Sequence, residues 1–231
     1  MNEHHYYLLI NLFTISVPII RSFEPRIAYY KSFRQLGVGI ALTGGFFIIW
    51  DAIFTAREVW GFNPRYLSGI EAFGLPLGEW LFFVTVPFAC VFIYRVLNYF
   101  FPRDPAGRWS AYLTQFLVSF SLALAITNFQ REYTFWTFLL LGLTLGFLHY
   151  KGANHLGYFY RTYGVILIPF LIVNGILTGT GIEEQIVWYN DAENLGIRIG
   201  TIPVEDTFYG MLLILGVVTI YEYQIQKNES S

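Results

Sequence analysis

The sequence predicts an all-α integral membrane protein with about seven transmembrane helices, built from two parallel three-helix repeats and a connecting helix. Of the 231 residues, 55% are hydrophobic, 20% are aromatic and only 13% are charged, and the mean hydropathy is +0.48. A chain of this composition has too little polar surface to cover a water-soluble globule. We therefore expect residues 1–231 to form a single membrane domain.

Seven apolar stretches recur along the chain, each close to the length that crosses about 30 Å of hydrocarbon. The first is short and begins near Met1, so a cleaved signal peptide is the alternative interpretation. No basic stretch precedes it, which favours a retained helix. The stretches are residues 6–20, 36–56, 80–100, 109–127, 133–149, 163–177 and 206–223.

A constant offset of 127 residues relates the two ends of the chain. It pairs Arg34 with Arg161, Gly37 with Gly164, Asn63 with Asn190, Gly69 with Gly196, Pro76 with Pro203, Glu79 with Asp206 and Tyr94 with Tyr221. Such long-period repeats mark duplicated halves, and functional sites often lie where the halves meet. We expect repeat one at 1–101, a connector helix at 102–130 and repeat two at 131–231. The second half begins four crossings after the first, so both halves should run in the same direction.

The distribution of Lys and Arg predicts the orientation in the membrane. With seven crossings and Arg95 left out as part of a helix, nine basic residues fall on one face and four on the other. The positive-inside rule places the richer face in the cytoplasm. The N-terminus is then outside and the C-terminus inside, most simply in a bacterial cytoplasmic membrane. The net charge of −2 gives no indication of a nucleic-acid partner.

Each repeated loop ends in a proline that is followed by acidic residues. Pro76 precedes Glu79, and Pro203 precedes Glu205 and Asp206. Proline is tolerated in the first turn of a helix, so the acids should lie where two helices begin. A lone acid there is explained by helix capping, worth about 0.3–1 kcal/mol. Repetition in both halves, at the membrane boundary and among aromatic residues, favours catalysis, because a protonated carboxyl in an apolar cavity can donate to a hydrocarbon.

A second group of residues is expected to bind substrate or to support the acids. An acid at membrane depth is functional by default, but Asp51 could also pair with Arg57 or Arg65, and both interpretations remain open. Tryptophans near the boundaries suit either an aromatic belt or the stabilisation of a cation. The group comprises Asp51, Trp60, Asn63, Trp80, Trp188, Asn190 and Arg198.

Cofactor motifs are missing from the sequence. No cluster of His, Cys and carboxylates has metal-ligand spacing, and neither a phosphate-binding loop nor a dinucleotide fingerprint is present. We therefore expect no metal and no cofactor.

The motifs around the acids resemble a known family. The relevant runs are Trp50-Asp-Ala-Ile-Phe-Thr, Val59-Trp-Gly-Phe-Asn-Pro-Arg-Tyr-Leu-Ser-Gly-Ile, Leu75-Pro-Leu-Gly-Glu-Trp-Leu-Phe-Phe, Pro87-Phe-Ala-Cys-Val-Phe-Ile-Tyr, Val187-Trp-Tyr-Asn and Ile202-Pro-Val-Glu-Asp-Thr-Phe-Tyr. Together they resemble the integral-membrane lycopene cyclases of carotenoid synthesis. In some members the two halves are separate polypeptides, and this chain is similar to the fused form over essentially its whole length.

The resemblance implies a lycopene β-cyclase that uses no flavin and causes no net redox change. An acid would protonate the terminal double bond of lycopene, the cation would close to a six-membered ring, and a base would remove a proton. The products would be γ-carotene and β-carotene, with Glu79, Glu205 and Asp206 as catalytic residues. Glu205 and Asp206 would be the proton donor and its partner. The implied partners are lycopene, or a related linear carotenoid, and membrane lipid.

One position departs from the family pattern. The first half would normally contain Pro-Leu-Glu-Glu, whereas this chain contains Pro76-Leu77-Gly78-Glu79, and the offset pairs Gly78 with Glu205. Gly78 either lowers the activity or leaves catalysis to the second-half acids. We therefore expect the substitution Gly78→Glu to raise cyclase activity.

Three other functions are alternatives to that of a lycopene cyclase. A retinal photoreceptor needs a lysine in the middle of helix seven, but the only lysines are Lys31, Lys151 and Lys227. A transporter could have the same repeats but should carry polar groups at mid-membrane depth. A cyclase or hydratase of another linear carotenoid is the nearest alternative.

Overall fold

The computed structural model describes residues 3–103, 107 and 109–229. Each predicted apolar stretch lies within one helix, and the largest extension beyond a prediction is the start of the sixth helix. The predicted fold class, an all-α membrane protein of two repeats, is confirmed. The helices are α1 (Tyr6–Arg21), α2 (Phe33–Ala56), α3 (Leu77–Phe100), α4 (Trp109–Thr127), α5 (Glu132–Tyr150), α6 (Leu156–Leu177) and α7 (Val204–Glu229).

Six of the described helices are long and apolar enough to cross a membrane. They are α2 to α7, with the first span counted from Tyr29. Helix α1 has 16 residues, which corresponds to about 24 Å at 1.5 Å per residue. It is shorter than the hydrocarbon layer, although apolar side chains such as Phe13 and Ile20 are exposed on its surface. The seventh crossing therefore remains a prediction.

Two hairpins lead directly into the helices that carry the acids. Strands β2 (Glu71–Ala72) and β3 (Leu75–Pro76) precede α3, while β5 (Arg198–Ile199) and β6 (Ile202–Pro203) precede α7. The offset of 127 relates the two hairpins residue by residue. Gly74 and Gly200 supply positive φ angles of 76° and 64° at their turns, a conformation that glycine adopts without steric cost. Each hairpin fixes where the following helix begins.

A third strand pair joins the halves. Strands β1 (Trp60–Phe62) and β4 (Val187–Tyr189) are equivalent under the offset and pair with each other, with Gly61 opposite Trp188. The flanking hydrogen bonds are also equivalent, from the Asn63 N–H to the Ile186 carbonyl (2.8 Å) and from the Asn190 N–H to the Val59 carbonyl (2.9 Å). This pairing of equivalent segments marks a pseudo-two-fold axis.

The loops between helices two and three and between helices six and seven therefore meet at one end of the bundle, as parallel repeats require. Gly61 is needed at the axis, because a Cβ there would lie 2.3 Å from the Trp188 ring.

Helix packing repeats the same symmetry. Helix α1 packs on α3 as α5 packs on α7, and across the halves α2 packs on α7 as α6 packs on α3. Helices α3 and α7 therefore occupy the centre, while α4 packs against α5 at the edge.

Candidate active site

One cavity lies between the central helices, next to the β1–β4 pair. Strand residues Trp60 and Tyr189 line it, together with side chains from helices α1, α2, α3, α5, α6 and α7. Three carboxyl groups converge in it, those of Asp51, Glu79 and Asp206, and each of these residues is at most 7% exposed. The cavity thus combines acids from both halves of the chain with an otherwise apolar and aromatic lining.

The hairpins place two of these acids symmetrically. Glu79 is the third residue of α3 and Asp206 the third residue of α7, so the pseudo-two-fold axis brings both into one cavity. Glu205 precedes Asp206 by one residue, which turns its side chain by roughly 100° around the helix. The repeat therefore gives the cavity one acid from each motif.

Asp206 accepts three hydrogen bonds. The Tyr133 hydroxyl donates to Oδ1 at 2.5 Å, while Asn174 Nδ2 and the Tyr189 hydroxyl donate to Oδ2 at 2.6 and 2.9 Å. Burial, and then the negative charge of Asp206, raise the pKa of Tyr189 well above its usual value, so the phenol remains a neutral donor. Three donors around one carboxyl group are the pattern expected for a carboxylate.

Glu79 is held from α1. The Tyr7 hydroxyl donates a short hydrogen bond to Glu79 Oε2. Asn11 fixes the same helix, because its Nδ2 donates to the Gly78 carbonyl (2.9 Å) and its Oδ1 accepts from Thr85 Oγ1 (2.6 Å). Helix α1 therefore contributes directly to the site despite its short length.

Asp51 forms no ion pair with Arg57 or with Arg65, the two partners that the sequence suggests. Its Oδ1 accepts a hydrogen bond of 2.5 Å from Trp60 Nε1, and its buried Oδ2 has no partner in the part of the chain that the structure describes. Arg57 instead pairs with Glu132 at 2.9 Å. Arg65 pairs with Glu3 at 2.6 Å, and with Glu183. The interfacial pairing is therefore contradicted, and Asp51 belongs to the cavity.

A comparison of the sequence with protein-family models shows which family the chain belongs to. The sequence model described as lycopene cyclase matches residues 4–97 and 130–224, which together make up most of the chain. The chain belongs to the lycopene cyclase family. The two matched segments are separated by helix α4, as expected for a fused pair of halves, whereas the exact boundaries 1–101, 102–130 and 131–231 stay a prediction. Comparisons with curated proteins and with solved structures returned no match.

Membership of this family relates the cavity to a class of reaction. A lycopene cyclase is an enzyme of carotenoid biosynthesis that closes a ring on a hydrocarbon, and the apolar helices place this one in a membrane. Ring closure on a polyene passes through a cation, which aromatic faces stabilise. Trp60 packs edge-to-face on Tyr133 and Tyr209, with ring centroids 5.0 and 5.9 Å apart, and Tyr133 stacks on Tyr189 at 5.8 Å. These rings form one wall of the cavity.

Glu205 is not among the acids that line the cavity. Its Oε1 accepts hydrogen bonds from Thr134 Oγ1 and from the Leu195 N–H, both 2.7 Å long. Glu205 is fully buried but is not among the described residues that line the cavity. These contacts favour a structural role that joins α7 to α5, and proton transfer by Glu205 remains an untested prediction.

Gly78 is explained by packing. A Cβ at this position would lie 2.5 Å from ring atoms of Tyr7, far inside van der Waals contact. The offset pairs Tyr7 with Thr134 and Gly78 with Glu205. In the first half a large side chain, that of Tyr7, faces a glycine on α3. In the second half a small side chain, that of Thr134, faces the longer side chain of Glu205 on α7. The contact with Tyr7 favours a loss of activity in Gly78→Glu rather than the expected gain, and the effect of this substitution remains a prediction.

The remaining predicted supporting residues shape the loops. Asn63 accepts from the Arg65 N–H and Asn190 from the Ala192 N–H, both at 3.1 Å. Arg198 donates to Asp191 and Trp80 to the Ala72 carbonyl. Within the described ranges none of these residues, nor Trp188, is hydrogen-bonded to a cavity carboxyl.

The residues that hold the acids escaped sequence reasoning. Tyr7, Tyr133, Asn174 and Tyr189 are the contacts that were missed. One signal could have found two of them, because the offset of 127 also pairs Tyr6-Tyr7 with Tyr133-Thr134. No group of three or more His, Cys, Asp and Glu residues among the described positions is arranged to hold a metal ion.

Proposed function

We propose that this chain is a lycopene β-cyclase that converts lycopene end groups into β-ionone rings in the cavity between α3 and α7. The observation that carries the proposal is the convergence of Asp51, Glu79 and Asp206 in one buried, aromatic-lined cavity of a lycopene cyclase family member. Cyclisation of an end group is an isomerisation, which needs one proton delivered and another removed. Buried carboxyl groups supply both functions.

The arrangement supports each stage of such a reaction. A carboxylic acid delivers a proton to the terminal double bond, the neighbouring double bond attacks the resulting cation, and a carboxylate removes a proton next to the new bond. The aromatic wall around Trp60 stabilises the cation while it lasts. Apolar side chains of the cavity, such as Val86 and Leu213, keep water from the cation, which would otherwise be hydrated.

Expression in lycopene-accumulating cells tests the proposed function. We expect γ-carotene and β-carotene to appear, because the cavity carries both a donor and an acceptor of protons. Chromatography of the extracted pigments, with the amount of membrane-inserted protein measured in parallel, checks this result. Unchanged lycopene in the presence of folded protein would contradict the proposal. A hydroxylated product would indicate a hydratase instead.

We also propose the orientation that the basic residues predict. A reporter fused after the C-terminal Ser231 should be cytoplasmic, and one inserted near Glu183, in the loop between α6 and α7, should be external. Ser231 and one of the counted residues, Arg108, lie outside the described residues. Accessibility of the two reporters in intact cells measures the orientation. The reverse pattern would place the cavity's strand-covered end on the cytoplasmic face.

A further inference from the structure

The three cavity carboxyl groups differ in the donors that surround them. Asp206 accepts three hydrogen bonds, whereas Glu79 accepts one from Tyr7 and Asp51 one from Trp60. A carboxyl group with several donors is stabilised in its charged form, while one with few donors and no nearby cation is costly to ionise away from water. Asp51 and Asp206 are thus prepared for different tasks.

Asp51 has the surroundings of a proton donor. It is 2% exposed, its Oδ1 is occupied by Trp60, and its Oδ2 is buried without a partner among the described residues. The nearest basic residues along the chain, Arg57 and Arg65, are paired with other acids. A neutral carboxylic acid costs less than a carboxylate in this environment, and an O–H on Oδ2 has no partner among the described residues, so its proton is available to the cavity.

Asp206 has the surroundings of a proton acceptor. Its three donors come from α5, α6 and β4, so the second half of the chain is built around a carboxylate. Such a carboxylate also provides the negative charge that balances a carbocation in a low-dielectric cavity.

We propose that Asp51 gives the proton that starts cyclisation and that Asp206 takes the proton that ends it. The inference rests on the proposed function and assigns the separate steps to residues of that same cavity.

The cycle balances without an oxidant or a reductant. The Asp51 O–H bond breaks, and its proton forms a C–H bond at the terminal double bond of lycopene. The electron pair of the neighbouring double bond forms the ring C–C bond, and the cation moves to the ring. A ring C–H bond then breaks, its electrons form the ring double bond, and its proton goes to Asp206. Asp206 then releases its proton to water and Asp51 takes up a proton from water, which restores both groups.

The donor role is tested with Asp51→Asn on two substrates. The amide oxygen still accepts from Trp60, but the acid is lost, so lycopene turnover should fall on the order of 10²-fold or more. In a lycopene with a terminal epoxide, a weaker acid is enough to open the epoxide ring. The rate at which Asp51→Asn cyclises this substrate should therefore fall much less. In Asp206→Asn both substrates should lose activity equally, because the lost step follows ring closure. Asp191→Asn, an exposed loop acid, is the matched control and should change neither rate.

Each other outcome overturns the assignment. Lycopene turnover by Asp51→Asn within a few fold of the unmodified chain would remove Asp51 from the chemistry. Equal losses on lycopene and epoxide would mean that Asp51 only positions Trp60. The unmodified chain in the same membranes distinguishes failure of the proposed function from failure of the residue assignment. If the unmodified chain leaves lycopene unchanged, the proposed function is wrong. If it cyclises lycopene, the variants test only the roles of Asp51 and Asp206.

Discussion

Replacing Asp206 by Asn is expected to lower lycopene cyclisation on the order of 10²-fold or more while leaving the yield of folded protein nearly unchanged. The side chain keeps its shape, and its amide oxygen still accepts the hydrogen bond from Tyr133. Its NH2 group faces Asn174 and Tyr189, whose amide and hydroxyl groups can turn to accept from it. The new amide cannot take a proton, however, and it carries no charge to balance a cation. Pigment chromatography at equal amounts of membrane protein measures the effect.

Glu205→Gln is the matched control for Asp206→Asn. The amide oxygen can still accept from Thr134 and from the Leu195 N–H, and the residue lies outside the described lining of the cavity. Activity should stay within a few fold of the unmodified chain. A loss as large as that of Asp206→Asn would restore Glu205 to the catalytic role predicted from the sequence. Activity within a few fold in Asp206→Asn would instead place the proton chemistry elsewhere.

Introducing Glu at position 78 is expected to lower both stability and cyclase activity. The new Cβ would meet ring atoms of Tyr7 at 2.5 Å, and a shift of this ring disturbs the hydrogen bond that its hydroxyl donates to Glu79. Overpacking of this kind typically costs about 1–3 kcal/mol, which equals or exceeds the gain of at most about 1 kcal/mol expected when Gly is replaced within a helix. Thermal unfolding in detergent, together with pigment analysis, tests both effects.

Two further variants separate packing from charge. Gly78→Ala should destabilise the protein through the same clash, whereas Gly45→Ala in α2 should not, because nothing lies within 4 Å of a Cβ at position 45. The double substitution Tyr7→Thr with Gly78→Glu copies the Thr134–Glu205 arrangement of the second half and should restore much of the lost stability. Its activity should remain low, because Glu79 has lost the Tyr7 donor. Equal stability of Gly78→Ala and Gly45→Ala would refute the packing explanation.

The architecture was predictable from the sequence because it depends on two patterns that extend along the whole chain, the apolar stretches and the repeat at an offset of 127 residues. Apolar stretches of membrane-spanning length do not depend on tertiary contacts, so the helices lie where composition places them. The repeat also determined that Glu79 and Asp206 are equivalent, and hence that both motifs reach one end of the bundle.

The assignment of residues within the site was not predictable in the same way. Whether Glu205 or Asp206 faces the cavity depends on how α7 is rotated about its axis, and two adjacent residues in a sequence do not reveal that rotation. The role of Gly78 depends on Tyr7, a residue of α1 that is distant in sequence. Asn174 is a single amide in an apolar helix, and only tertiary structure shows that it faces Asp206.

Cyclisation of lycopene in heavy water tests the central claim most directly, because the account requires a carboxyl proton that exchanges with solvent to become a carbon-bound hydrogen of the product. Membranes that contain the unmodified chain should be equilibrated in heavy water and given lycopene, and the products analysed by mass spectrometry. We expect one solvent deuteron per ring formed, bound to carbon and not lost on return to ordinary water. Rings formed without deuterium would contradict proton-initiated cyclisation by the acids of this cavity.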